Sequence, residues 1–106
     1  MTKYIFRSIS PAQDGVHKLR ANFTNEKTGR HKQVKFGAEG YDDYTILYKR
    51  DGKKVANEHK ERYIERHGKD LKTDDPTRAG YLSMYVLWNK PTIGASISDY
   101  RNRFNL

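Results

Sequence analysis

The hydrophobic pattern of this chain changes its period between residues 36 and 55. Before this point apolar residues recur at every second position, as Leu19, Ala21 and Phe23 do, and beyond it they recur at every third or fourth position. The first period is typical of half-buried strands and the second of amphipathic helices. Because strands and helices occupy separate blocks of the sequence, the pattern predicts an α+β domain.

The strand block predicts a three-stranded antiparallel meander over residues 1–40, with turns at residues 10–15 and 25–29. In the second strand the apolar residues share one face, so Lys18 and Arg20 share the other. The first strand leaves two alternatives for its buried face, either Tyr4 with Phe6 or Ile5 with Ile9.

The segment 41–54 is predicted to be a Gly/Asp-rich connection. Gly37 and Gly40 bracket a tight exit from the sheet. Within the connection, Tyr44–Tyr48 is a candidate fourth strand, which would be followed by a hairpin-type turn at Asp51-Gly52.

Three helices are predicted after the connection, at residues 55–68, 76–88 and 90–104. Asp75 followed by Pro76 is expected to cap the second helix and form its first turn. This helix is nearly apolar and is predicted to be the most buried one. The residues that we expect to be structural are Gly37, Gly40, Asp75, Leu82, Trp88, Pro91, Ile97, Tyr100 and Phe104.

The length of 106 residues predicts a single domain, 1–106, packed around one small core. The absence of cysteine excludes disulfides, thiolate catalysis and cysteine-ligated zinc. No apolar run has the length of a membrane span or of the core of a signal peptide. We therefore expect an intracellular protein that is not secreted and has no membrane span.

The net charge of +8 is distributed unevenly along the chain. It amounts to +5 in residues 1–40, zero in residues 41–75 and +3 in residues 76–106. Segregated positive charge is typical of a surface that binds polyanions, although lysine is also a common surface residue. The residues predicted to form such a surface are Lys18, Arg20, Lys35, Arg7, Arg101 and Arg103.

The remaining motifs indicate neither catalysis nor cofactor binding. His59 and His67 are two helical turns apart, which is too far for them to share a metal ion. Adjacent carboxylates such as Asp42-Asp43 do not converge as a catalytic pair would. The glycine loop 37–40 lacks the Lys-Ser/Thr of a phosphate-binding Walker loop. The sequence therefore predicts a non-catalytic protein with no metal and no cofactor.

Several blocks together resemble a family of small basic proteins of large nucleocytoplasmic DNA viruses of algae and amoebae. The blocks are Phe36-Gly37-Ala38-Glu39-Gly40-Tyr41-Asp42-Asp43-Tyr44-Thr45, the stretch from Glu61 to His67, Ala79-Gly80, Trp88-Asn89-Lys90-Pro91-Thr92 and the following residues to Phe104. The family carries no activity that could be transferred, so the resemblance bears on origin more than on mechanism.

Two functional hypotheses follow from the resemblance and the charge. The first is a minor virion or capsid-associated component that binds the acidic surfaces of other virion proteins, in the host cytoplasm, the virus factory or the particle. The alternative is an accessory protein that binds the backbone of DNA or RNA with a basic face of the sheet. The two differ in the salt dependence of nucleic-acid binding. The sequence gives no indication of the oligomeric state.

Overall fold

A three-stranded antiparallel sheet forms the first part of the fold in the computed structural model, which describes residues 3–106. The first two residues of the predicted domain 1–106 lie outside the described residues. The strands are β1 (Tyr4–Pro11), β2 (His17–Asn25) and β3 (His31–Ala38), paired in the order β1-β2-β3. The helices follow the sheet, so the predicted α+β arrangement is confirmed.

A β-bulge at Arg7 explains why the first strand has two apparent buried faces. Phe6 pairs with Phe23 and Ser8 with Asn22, so Arg7 is an extra residue on its strand. An extra residue reverses the alternation of side chains beyond it. Phe6 before the bulge and Ile9 after it therefore both pack on the core.

Four helices follow the sheet. They are α1 (Tyr44–Asp51), α2 (Lys53–His67), α3, which runs as an α-helix over Ala79–Leu82 and as a π-helix over Ser83–Leu87, and α4 (Ile93–Phe104). A 3₁₀ helix, Gly68–Thr73, extends the end of α2. The predicted helices at 55–68 and 90–104 are confirmed within a few residues.

The prediction of a fourth strand at Tyr44–Tyr48 is wrong, because this segment is the first turn and a half of α1. Asp43 caps the helix by accepting a hydrogen bond from the Ile46 amide at 3.1 Å. Tyr44 and Leu47 are three residues apart and both are buried. A capping aspartate and an i, i+3 apolar pair favour a helix over a strand.

The predicted cap of the second helix at Asp75 is also wrong. The Asp75 carboxylate instead accepts hydrogen bonds from the amide and the hydroxyl of Thr77, at 3.0 and 2.6 Å. This contact forms a turn, and α3 begins only at Ala79. An aspartate whose side chain bonds two residues ahead stabilises a turn as readily as a helix start.

Most of the buried apolar residues form one cluster between the sheet and the helices α3 and α4. Its buried members are Phe6, Ala21, Phe23, Phe36, Leu82, Val86, Leu87 and Tyr100. Ile97 and Phe104 pack against it, as predicted, and Thr92 caps α4 directly after the exposed Pro91. A second cluster, Tyr44, Leu47 and Ala56, lies between α1 and α2, and Trp88 packs against both clusters.

Candidate polyanion-binding face

One face of the sheet packs on the helices and the other is open to solvent, as is common for antiparallel sheets. We call the open side the outer sheet face. It consists of Ile5, Arg7, Ser8, Ser10, Arg20, Asn22, Thr24, His31, Gln33 and Lys35. None of the residues in the three strands is acidic. Apart from Ile5, which is 38% exposed, the face is therefore polar, and it carries positive charge.

Two arginines on this face are held in place through one nitrogen each. Arg7 Nε donates to the Thr24 hydroxyl at 3.0 Å, and Arg20 Nε donates to the Ser10 hydroxyl at 3.1 Å. Among residues 3–106, no carboxylate lies within salt-bridge distance of either guanidinium. Their terminal Nη groups thus remain available to bind an anion.

A network of amide side chains connects the three strands across the middle of the face. Asn22 donates to the Ser8 hydroxyl at 3.1 Å, and its carbonyl oxygen accepts from Gln33 at 3.1 Å. The ring of His31 lies 3.2 Å from the same oxygen. Cross-strand contacts of this kind stabilise a sheet and fix the positions of its side chains.

Lys35 lies directly opposite Arg20 in the register, which places two positive charges side by side. Such pairs are destabilising unless an anion compensates them. Asp14 in the β1–β2 loop provides part of the compensation, because its carboxylate lies 3.3 Å from the Lys35 ammonium. Hydrogen bonds from the His17 amide, the His17 imidazole and the Val16 amide hold the pKa of Asp14 well below its usual range.

The expectation that Lys18 emerges on the same solvent face is wrong. Its ammonium donates to Asp43 Oδ2 at 2.7 Å, and only 14% of its side chain is exposed. Asp43, which also caps α1, is itself buried. This lysine holds the start of α1 against the end of the sheet and is not free to bind a partner.

Arg101 and Arg103 do not join the outer sheet face either. They lie at the end of α4, on the helical side of the fold. Arg101 stacks over the ring of Phe6 at 5.1 Å, and Arg103 forms a salt bridge with Asp99 at 3.2 Å. The structure thus brings together Arg7, Arg20 and Lys35 and separates the other three predicted residues from them.

His31 belongs to the face but is missing from the sequence prediction. Alternation along β3 from Lys35 through Gln33 would have found it, since residues two apart share a face. The partners Asp14 and Asp43 were not predictable in this way, because both lie in connections whose course depends on the tertiary fold.

The match to a known family covers the second half of β1, the strands β2 and β3, and the start of α1. Residues 8–47 match the model of a family of unknown function (DUF5754). The matched part includes Arg20, Lys35 and the Lys18–Asp43 pair, and it ends within α1. No curated protein and no solved structure shows a significant match to the chain.

Two further properties concern metals and membranes. Within residues 3–106, no group of three or more histidine, aspartate or glutamate side chains is arranged to hold a metal ion. In the same range no helix combines the length and the apolar composition needed to cross a membrane.

Proposed function

We propose that this is a non-catalytic protein that binds the phosphate backbone of a nucleic acid with its outer sheet face. The observation that carries the proposal is the pair Arg7 and Arg20. Each guanidinium is held by a hydroxyl through Nε, and its terminal nitrogens have no carboxylate partner among the described residues. Arginine with free terminal nitrogens binds phosphate through two parallel hydrogen bonds, which gives both strength and orientation.

The surroundings of the two arginines support an anionic partner. Lys35 adds a third cation, and the exposed cations Lys27 and Arg30 lie in the turn next to the Thr24 end of the face. Serine, threonine and asparagine side chains supply further hydrogen-bond donors, which commonly contact phosphate and sugar. The outer sheet face can therefore neutralise a short stretch of backbone.

The face supports contact with the backbone more than with the bases. The face has no phenylalanine, tyrosine or tryptophan, and its one imidazole, His31, lies against the Asn22 carbonyl oxygen. Proteins that bind single strands through their bases stack them on exposed aromatic rings. We therefore expect duplex DNA and RNA to bind without strong sequence preference.

A salt titration with matched variants tests the proposal. The wild type and the variant Arg7→Gln/Arg20→Gln/Lys35→Gln are titrated against a labelled 20-base-pair duplex by fluorescence anisotropy. With three phosphates neutralised, the slope of log K against log [salt] is about −2.7, so affinity falls roughly fortyfold between 50 and 200 mM salt. We expect the variant to lose most of this binding and to reduce the slope by about 3.

The matched control is Lys49→Gln/Lys53→Gln/Lys54→Gln, which removes the same charge from exposed positions on α1 and α2. If the nucleic acid binds at the outer sheet face, this control should bind it like the wild type. Equal losses in the two variants would mean general attraction to a basic protein. If the wild type bound no nucleic acid at 50 mM salt, the proposal would be wrong, and an acidic protein surface would become the better candidate partner.

The virion role implied by the resemblance stays a prediction. It is compatible with the proposed function, since a backbone-binding protein can be packaged with a genome. Mass spectrometry of purified virus particles checks it directly, and consistent absence of the protein from particles would contradict it.

A further inference from the structure

A cavity of about 530 Å³ lies on the helical side of the sheet end, apart from the outer sheet face. Its wall is formed by the end of β3, the connection that leads into α1, the last turns of α2, and α3. Cavities of 300–1,000 Å³ are the usual size of small-molecule sites. Most of the residues around it come from the blocks on which the family resemblance rests, namely 36–45, 61–67, 79–80 and 88.

Three aromatic side chains stack against one another in the wall of this cavity. The rings of Trp88 and Tyr63 are 4.7 Å apart and nearly parallel, at 11°. The rings of Tyr63 and His67 are 4.5 Å apart at 26°. Both faces of Tyr63 are therefore covered, and His67, whose side chain is 43% exposed, ends the stack.

Polar groups of both signs surround the stack. Arg66 is exposed, and its guanidinium has no carboxylate partner in the part of the chain that the structure describes. His67 Nδ1 lies 3.3 Å from Asp70 Oδ2, which orients the ring. The Ser83 side chain and the exposed Tyr41 also line the cavity. Asp42 and Asp43 also line the cavity, but their carboxylates pair with Arg50 and Lys18. The wall thus combines an aromatic surface, an unpaired cation, the carboxylate of Asp70 and a hydroxyl.

We propose that this cavity binds a mononucleotide, with the base stacked on the exposed ring of His67 and the phosphate on Arg66. A planar base continues a stack of parallel rings, and every base offers such a surface. The amino and ring nitrogens of a base can bond Asp70 and Ser83. Arginine is the residue best suited to bind a phosphate. The inference does not depend on the function proposed for the outer sheet face.

The chain provides its own reporter for the test, since Trp88 is its one tryptophan and lines the cavity. Adenosine 5′-monophosphate, adenosine and inorganic phosphate are titrated into the full chain, and tryptophan emission and calorimetric heat are recorded. We expect saturable binding of the nucleotide below about 1 mM and weaker binding of adenosine and of phosphate alone. No saturable signal up to about 5 mM, or phosphate binding as tightly as the nucleotide, would overturn the proposal.

Two exposed arginines of α2 give a matched pair of variants. Arg66→Gln is expected to weaken nucleotide binding about tenfold and to leave adenosine binding unchanged, because it removes a charged hydrogen-bond donor. Arg62→Gln removes the same charge one turn away, outside the cavity, and is expected to bind the nucleotide like the wild type. Equal losses in the two variants would overturn the assignment of the phosphate to Arg66.

A third variant tests the location without removing a charge. Ala79 is exposed at the start of α3 and lines the cavity, so Ala79→Leu narrows it without touching the core. We expect this variant to keep its circular dichroism spectrum and to lose the binding of both nucleotide and adenosine. Retained binding would place the ligand elsewhere. The outer-face variant Arg7→Gln/Arg20→Gln/Lys35→Gln is expected to keep nucleotide binding, which separates the two proposals.

Discussion

The molecule consists of two regions that differ in how much apolar surface holds them together. The main body, β1–β3 with α3 and α4, encloses a cluster of eight buried apolar residues. The helical hairpin, α1 with α2, encloses only Tyr44, Leu47 and Ala56. Since burial of apolar surface is the largest favourable term in folding, the hairpin has much less stability of its own.

The hairpin is joined to the main body by a few contacts, several of them polar. Trp88 packs against both clusters. Lys18 pairs with Asp43, and the Lys60 ammonium donates to the Asn89 carbonyl at 2.9 Å while it lies over the ring of Tyr44. Regions with small cores and few contacts open at lower free energy than the rest of a fold. We therefore expect the hairpin to open before the main body does.

The largest effect is expected from Leu82→Ala in the main body. Leu82 is fully buried in the larger cluster, and removing its side chain leaves a cavity that costs about 2–5 kcal/mol. Because α3 packs between the sheet and α4, the whole chain should lose stability together. Urea unfolding followed by circular dichroism measures this loss, and native-state hydrogen exchange should show it in the slowest sheet amides.

Leu47→Ala is the counterpart in the hairpin, since Leu47 is 1% exposed. It should speed the exchange of amides in α1 and α2 while the slowest amides of β2 keep the exchange rate of the wild type. If Leu47→Ala accelerated exchange in the sheet as much as in the hairpin, the two regions would form one cooperative unit and the comparison would fail.

The next largest effect distinguishes two glycines that have similar backbone conformations. Gly37 has φ of 78° and Gly40 has φ of 84°, so alanine is strained at either position. An added Cβ at Gly37 would lie 2.7 Å from Leu87 Cδ1, whereas at Gly40 it would meet nothing within 4 Å. We expect a loss of about 2–4 kcal/mol for Gly37→Ala and about 1–2 kcal/mol for Gly40→Ala.

Thermal and urea unfolding of the two variants check this difference. The additional loss of stability in Gly37→Ala, compared with Gly40→Ala, measures how tightly the end of the sheet packs against α3 in the main body. Gly40→Ala reports only backbone strain in the connection that leads to the hairpin. Equal losses would show that Leu87 moves aside at no cost and that packing there is looser than the distance implies.

Local patterns were sufficient to predict much of the main body. Alternation in β2 identifies Ala21 and Phe23 as buried, and the spacing of Ile97, Tyr100 and Phe104 identifies the inner side of α4. Both patterns reflect contacts with a single large core. The bulge at Arg7 could not be predicted, because it packs Phe6 from one alternative and Ile9 from the other on the core and is defined only by the pairing with β2.

The same patterns failed where a side chain acts in a tertiary contact. Asp43 was interpreted as part of a loop, although it caps α1 and pairs with Lys18. The failure at Asp75 is local instead: the sequence predicts a helix cap there, but an aspartate that bonds two residues ahead forms a turn equally well, here with Thr77. Tertiary contacts set the same limit at the candidate site. Strand alternation places Arg20 and Lys35 on the outer sheet face, but it cannot reveal that the Lys18 ammonium bonds to Asp43, 25 positions away.

The smallest effect concerns the hydrogen bonds of Asn89, which connect α4 of the main body with α2 of the hairpin, and it depends on pH. Asp99 Oδ2 accepts a hydrogen bond from the Asn89 side chain at 2.7 Å, and the Asn89 carbonyl accepts from Lys60 of α2. The hydrogen bond from Asn89, with the salt bridge to Arg103, holds the pKa of Asp99 below its usual range. Because the folded pKa is depressed, the carboxylate stabilises the fold fully above its unfolded pKa of about 3.9 and loses this contribution as pH falls through the folded value.

Asp99→Asn should therefore destabilise the protein at pH 7 by less than about 1 kcal/mol, since the pair with Arg103 is partly exposed. The difference from the wild type should shrink as the pH of urea unfolding is lowered from 5 to 2. Hydrogen exchange in α2 should rise in the variant at pH 7, because an uncharged acceptor at position 99 holds the Asn89 side chain, and so its orientation toward Lys60, more weakly. Asp74→Asn is the control, since within the described residues the Asp74 carboxylate accepts no hydrogen bond and forms no salt bridge.

A difference in stability between Asp99→Asn and the wild type that stayed constant with pH would assign the effect to geometry and not to charge. Exchange in α2 that matched the wild type would show that the contact between Asn89 and Lys60 does not help to hold the hairpin to the main body.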